Sequence, residues 1–292
     1  VVLPRSVLAA KGSEEFRWRI LKRGEEIDVT VLKNIKGWLF EGVSEQYGVA
    51  FVCIQRGGRS SSRVELRGVY RNLGELESMH ATGSACFSGD ECLSWNASAG
   101  LPTFTFPPDK SVDVFRQLRK APRLELDQTE QWRARPIAEV HATNDKHMYD
   151  LTSEDCPDGF WPVYKGASFD LWKPDTGEYY AWADPDVVTP VLQERRLRGN
   201  RSIASVFHEC DATWCADPDT LPCHFPRIAF RDVTRATDAR TVRCALVPPG
   251  VFLNHKAPYF IFPRGTRNDE AFLLGMFSSI PLDWYARRFV EV

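Results

Sequence analysis

The sequence predicts an α+β chain, with strands and helices mixed rather than one type alone. Ile27, Val29 and Val31 alternate with Asp28 and Thr30, the period of a strand with one polar face, while Gly48 to Ile54 (GVAFVCI) is continuously apolar. Helical spacing recurs near both ends, in Phe16, Ile20 and Leu21 and again in Phe272, Leu273, Met276, Phe277 and Ile280. With 292 residues, 43% of them hydrophobic and 12% aromatic, the chain can bury a large core in one or two domains.

Residues 1–56 read as strand, helix, strand, strand. Val1 to Leu3 is an apolar run, and Ser13 is placed to cap a helix whose first turn holds Glu14 and Glu15, where the helix dipole favours acids. Lys22 and Arg23 fill its last turn, and Gly24 suits a left-handed C-terminal cap. The apolar run from Gly48 fits a strand covered on both faces. Arg56 to Arg63 (RGGRSSSR) is a flexible basic break and the expected domain boundary, dividing the chain into 1–56 and 57–292.

Beyond the break, VELRGVY alternates like a strand, and residues 80–109 read mostly as loop. Ser111 can cap a short helix carrying Val112, Phe115 and Leu118, closed by Pro122. Residues 136–190 mix aromatics with Pro, Gly and Asp, the composition of short strands and ordered loops. Asn268 or Asp269 caps the last helical run, Pro281 interrupts it, and Leu282, Tyr285 and Phe289 share one side of a final segment.

A net charge of -2 means that any polyanion site must be a local concentration of cations. Nothing resembles a signal peptide or an 18-residue apolar span, which makes a cytoplasmic, non-membrane protein the default expectation. Eight irregularly spaced cysteines each read as a small buried hydrophobe or a free thiol, without a disulfide framework. The start at Val1, directly in an apolar run, reads as a fragment of a longer chain.

Two segments concentrate arginine. Gln193 to Arg201 holds Arg195, Arg196, Arg198 and Arg201 against one Glu, a cluster suited to counterion release from a phosphate backbone. From Arg227 to Arg243, Arg227, Arg231, Arg235, Arg240 and Arg243 alternate with short apolar stretches. Their guanidinium groups can hold phosphates or read guanine, and Thr234, Thr237 and Thr241 can add phosphate hydrogen bonds. The competing reading is an ordinary strand pair in which Arg231 and Arg235 pair with Asp232 and Asp238. Lys11 and Arg5 flank the first helix, Arg5 as an exposed residue.

Other constellations are weaker. His208, Cys210, Cys215, Cys223 and His224 could supply four zinc ligands, but no C-x2-C knuckle is present, and buried thiols fit better. Asp145, Asp170 and Glu178 are unspecific acid candidates, Asp145 suiting a turn. Phe160, Trp161, Tyr164, Phe169, Trp172, Tyr179, Tyr180 and Trp182 could stack on bases, although the prolines among them favour a packed core.

Several segments carry a family resemblance. VVLPRSVLAAKGSEEFR and IDVTVLKNIKGWLFEGVSEQYGVAFVCI are similar to the last third of the catalytic domain of class I adenine-N6 DNA methyltransferases, specifically the large single-chain restriction-modification and BREX-like phage-defence enzymes. RPIAEVHATNDKHMYD with VYKGASFDLW, and FPRIAFRDVTRATDARTVRCALVPP with LDWYARRFVEV, resemble their target-recognition region. The resemblance implies that residues 1–56 are the tail of a doubly wound methyltransferase sheet and 57–292 a target-recognition domain. It implies an upstream catalytic domain in the same polypeptide that binds S-adenosylmethionine and holds an Asn/Asp-Pro-Pro-aromatic motif for a flipped adenine.

Here FPPD (Phe106–Asp109) and VPPG (Val247–Gly250) have the two prolines without the acceptor or the aromatic, and no glycine-rich cofactor turn is visible. No catalytic residue, cofactor or metal is therefore assigned to this chain, and the chain alone is not expected to methylate. The expected partner is double-stranded DNA, contacted by Arg195, Arg196, Arg198, Arg201, Arg231, Thr234, Arg240 and Thr241. The alternatives are a protein-interaction module or a Cys/His zinc-binding protein.

Overall fold

A computed structural model of the chain describes all residues except 46, 58–61, 79–82, 96–99, 105–110, 122–123, 125–133, 236–237, 264 and 291–292, and the side chain of Lys11. The class is α+β, as expected, and the chain divides into two compact units. The first comprises Val1–Arg123, Arg235–Thr241 and Trp284–Val292; the second comprises Leu124–Thr234 and Val242–Asp283. The first holds 22 Lys and Arg against 16 Asp and Glu, and the second 15 against 23, so a polyanion site on the second must be local.

The first unit is built on a five-stranded sheet in the order β1-β3-β2-β4-β5: β1 (Val2–Pro4), β2 (Gly24–Lys33), β3 (Gly48–Arg56), β4 (Arg63–Tyr70) and β5 (Ala85–Ser88). The expected division at residue 56 does not match this unit, because β4, beyond the basic break, pairs along its length with β2. Nor do the strand directions reproduce a doubly wound sheet, which is mostly parallel. Only β2 and β4 run parallel; β1 with β3, β2 with β3 and β4 with β5 are antiparallel.

Register explains the period-two pattern. Val29 lies opposite Val52 and Leu66, and Val64 opposite Phe87, so the apolar residues of four strands share one face. The helices α1 (Glu14–Arg23), α2 (Leu73–Glu77), α3 (Gly89–Ser94) and α4 (Ser111–Leu118) follow in chain order. Ile20 and Leu21 of α1, Cys92 of α3 and Phe115 of α4 join that apolar face in one core. On the other face Arg67 pairs with Asp28 at 2.9 Å and with Glu65, and Arg63 pairs with Glu65.

The run from Gly48 is therefore covered on both faces only in its first half, and Cys53 and Ile54 are exposed. Gly68 sits at φ 76 where the β2–β4 register shifts, and a Cβ there would lie 2.4 Å from the Val31 carbonyl oxygen. Gly24 is not a left-handed cap: its φ and ψ are -75 and 144, and it starts β2 directly. Within residues 80–109, read as loop, β5 and α3 form.

The second unit contains two sheets. One runs β10-β9-β12-β6, from β6 (Arg135–Ile137), β9 (Arg227–Phe230), β10 (Cys244–Val247) and β12 (Tyr259–Ile261), all antiparallel. The other runs β11-β7-β8, from β7 (Trp161–Tyr164), β8 (Ala181–Ala183) and β11 (Phe252–Leu253). Its helices are α5 (Pro185–Asn200), α6 (Ala212–Ala216) and α7 (Arg267–Ser278).

Sequence reading missed α5, whose start was nevertheless signalled by Asp184 capping the Asp186 N–H and by Pro185 in the first turn. Its buried face is Val188, Leu192 and Arg196, four residues apart. The cap of α7 is Thr266, in a reciprocal capping box with Asp269. α8 (Ile280–Ala286) follows a break at Ser279, with Pro281 in its first turn rather than interrupting a helix. Among the described residues no helix is long and apolar enough to cross a membrane.

Candidate nucleic-acid interface

The arginines of α5 face two ways. Arg195 donates to both carboxylate oxygens of Asp145, at 2.9 and 2.5 Å, and the Asp145 carboxylate also accepts the backbone N–H of His141. Burial opposes charge on Asp145, but these donors prevail and hold its pKa below the usual carboxylate range. Arg196 is 1% exposed. It donates to Gln193 Oε1, Thr220 Oγ1 and the Asp217 carbonyl, and its guanidinium lies 4.9 Å from the centre of the Trp214 ring.

Arg196 is therefore a core residue and not a phosphate contact, and Arg195 is a bidentate structural partner. Arg196 points inward because it continues the buried face of Val188 and Leu192, each four residues apart, whereas Arg195, one position earlier, is turned toward Asp145. Arg198 and Arg201 lie off that face. Both are exposed, and neither has a carboxylate partner among the described residues.

The second series divides between the units: Arg231 and Thr234 belong to one, Arg235, Arg240 and Thr241 to the other. Arg227 is buried, pairs with Glu139 at 2.9 Å and donates to the Val251 carbonyl. Arg231 donates through Nε to the Gly166 carbonyl at 2.7 Å, and its backbone N–H donates to the Arg243 carbonyl. Arg243 reaches Asp170 at 3.1 Å. Asp232 pairs with Lys256 at 3.5 Å instead of Arg231.

Asp238 accepts the backbone N–H of Arg235, whose own side chain is exposed. Thr241 is buried, which withdraws its hydroxyl from phosphate, while Arg240 and Thr234 are half-buried. Thr237 lies outside the described residues.

Arg231 and Arg243 both brace one loop, and that loop carries a residue that sequence reading grouped with the packed aromatics. Trp172 is 73% exposed and sits at φ 59. It occupies the third position of a tight turn closed by reciprocal backbone hydrogen bonds of 2.9 Å between Asp170 and Lys173. Glycine or asparagine usually fills that position, and a bulky residue there costs about 1–3 kcal/mol.

The turn is firmly seated. Ser168 and Phe169 are fully buried, the Ser168 hydroxyl donates to the Glu178 carbonyl, and the Lys165 N–H donates to that hydroxyl. Thr176 closes the loop through its N–H to the Ser168 carbonyl and its hydroxyl to the Ala167 carbonyl. Exposed Lys173 follows Trp172 in the chain and has no ion-pair partner among the described residues. The other aromatics pack inward, as in the stacked pairs Tyr164–Tyr179 and Trp161–Phe252.

Cys210, Cys215 and Cys223 are buried, and among the described residues no three His, Cys, Asp or Glu side chains converge as a metal site. Burial pushes the Cys210 and Cys223 thiols up to about 12. Arg5, expected at the surface, is buried and donates to Thr103 and to the Val290 carbonyl. VPPG forms a turn with Gly250 at φ 71, and FPPD lies outside the described residues.

No protein-family model matches the chain, and no curated protein is similar to it. Among solved structures, the type IIG restriction endonuclease BpuSI is similar at 15% identity and a TM-score of 0.30, over 96% of this chain and 36% of that one. The chain thus spans about a third of that enzyme's length, and at that score the overlap is too slight to transfer a function.

Proposed function

We propose that the chain is a DNA-recognition module that binds double-stranded DNA and sets sequence preference for an S-adenosylmethionine-dependent adenine-N6 methyltransferase in restriction-modification or phage defence. The DNA part is carried by one observation. Arg198 and Arg201 stand exposed at the end of α5 with no carboxylate partner among the described residues, whereas Arg195, Arg196 and Arg227 are taken up internally. Uncommitted guanidinium groups hold phosphates well, and their release of counterions favours a polyanion.

The methyltransferase part is what the family resemblance implies. Cofactor binding and base flipping would belong to the catalytic domain of the parent enzyme, and no residue here is assigned to either. This chain's own share is to position the duplex and read base edges.

The test is fluorescence anisotropy of a labelled duplex at several salt concentrations. Wild type should bind with an affinity that falls steeply with salt, and Arg198→Glu/Arg201→Glu should reduce the log–log salt slope by about 2, near one per lost phosphate contact. Unchanged affinity and slope in the double variant would remove these residues from the interface.

A second reading, a protein-docking role, draws on α7, where Phe272 and Met276 are exposed on one face with Ile280 exposed beyond it. A salt-insensitive complex lost in Phe272→Asp would favour it.

A further inference from the structure

We propose that Trp172 is a base-contacting side chain, its indole stacking on or wedging beside a base of the bound duplex. This deepens the DNA-binding reading and rests on it. The first support is retained strain: a tryptophan at φ 59 is kept where glycine would be relaxed. With 73% of the residue exposed, core packing does not compensate for that strain. An exposed outlier on a rigid loop is the pattern of a residue held for contact.

The second support is how it is held. Asp170, at the start of the turn, accepts the Leu171 N–H through one carboxylate oxygen and Arg243 through the other. Arg231 clamps the same loop at Gly166, where its Cγ lies 3.0 Å from the position a Cβ would take. Buried Phe169 anchors the segment leading into the turn. The indole therefore meets a partner without a loop-ordering cost.

The third support is charge. Of the loop's acids, Asp170 is matched by Arg243 and Glu178 faces Lys165 at 3.9 Å, while Asp175 is held by neutral donors, the Tyr179 hydroxyl and the Gly177 N–H, with no cation partner among the described residues. Neighbouring Asp232 pairs with Lys256. Lys173, the residue after Trp172, has no ion-pair partner among the described residues. An exposed aromatic followed in the chain by an exposed cation with no ion-pair partner suits a ligand that alternates flat bases with phosphates.

The test uses the full 292-residue chain with a pool of random-sequence duplexes, since stacking tolerates any base. Trp172→Ala should weaken binding about tenfold with the salt slope unchanged, because no phosphate contact is lost, and Trp172→Phe should stay within a few-fold of wild type. Trp172→Gly should weaken binding as Ala does while its melting temperature holds or rises, because glycine relieves the turn. Steep salt-dependent binding by wild type with equal binding by the Ala and Gly variants would overturn the inference and leave the DNA reading intact. A lower melting temperature in Trp172→Gly would make the ring structural and overturn it too. No salt-dependent binding by wild type would overturn both.

Discussion

Glu139 and Arg227 form an ion pair at 2.9 Å with side chains 3% and 4% exposed, and the Leu253 N–H donates to the same carboxylate oxygen. Burial pushes the Glu139 pKa up while Arg227 pulls it down. A pair this dry is costly to break, since either survivor is left charged and unsolvated. Arg227→Met should therefore destabilise the fold by about 3–5 kcal/mol in urea denaturation. Glu139→Gln should cost less than Arg227→Met, because its amide oxygen still accepts from Leu253. If Arg227→Met instead leaves stability unchanged and reduces DNA binding, the arginine belongs to an interface.

Three arginines close in sequence should fall into two opposite classes. Arg196→Ala removes a side chain that satisfies Gln193, Thr220 and the Asp217 carbonyl, and should lower stability by about 2–4 kcal/mol. Arg198→Ala and Arg201→Ala should stay within about 0.5 kcal/mol of wild type. Thermal melts with anisotropy on the same samples separate the effects.

Acid should loosen the second unit through Asp145. Its folded pKa lies below that of the unfolded chain, so the contribution is fully present above the ordinary carboxylate pKa of about 4 and is lost as pH falls through the depressed value. The melting temperature should be insensitive to this group from about pH 5 to 8 and should drop below about pH 4. Asp145→Asn should melt lower at neutral pH and show a shallower acid decline. An unaltered decline in that variant would shift the effect to other carboxylates.

Thiol chemistry should follow burial. Cys53, Cys86 and Cys156 are exposed, while Cys92, Cys210, Cys215, Cys223 and Cys244 are buried. A disulfide reagent at about pH 8 should modify three thiols in the native protein and the rest only in denaturant. Rapid native modification of Cys210 or Cys223 would show that the thiols pushed up to about 12 are in fact accessible.

Local features were legible where one segment decides them. Glu14 to Arg23 announced α1, and the alternation of Ile27, Val29 and Val31 announced one face of β2. The orientation of Arg196 was not legible, because Thr220 and Asp217 that receive it come from a loop more than twenty residues away. Residue type placed Trp172 among packed aromatics, whereas both its exposure and its left-handed backbone belong to a turn that composition does not encode. The boundary near residue 56 failed because a basic, glycine-rich break marks a turn as readily as a domain edge, and β2 captures β4 across it.

The first unit closes around Phe115, which stacks on Tyr285 at 5.4 Å and lies 6.2 Å from Phe289. These partners are separated by more than 160 residues, nearly all of which belong to the other unit. On a ribosome, the sheet of residues 1–88 would emerge long before the aromatics that seal it. Such long-range closure slows folding and leaves the interval open to aggregation. A chain ending after α4 should thus be recovered mainly as aggregate, and refolding of the whole chain should wait on its last helix.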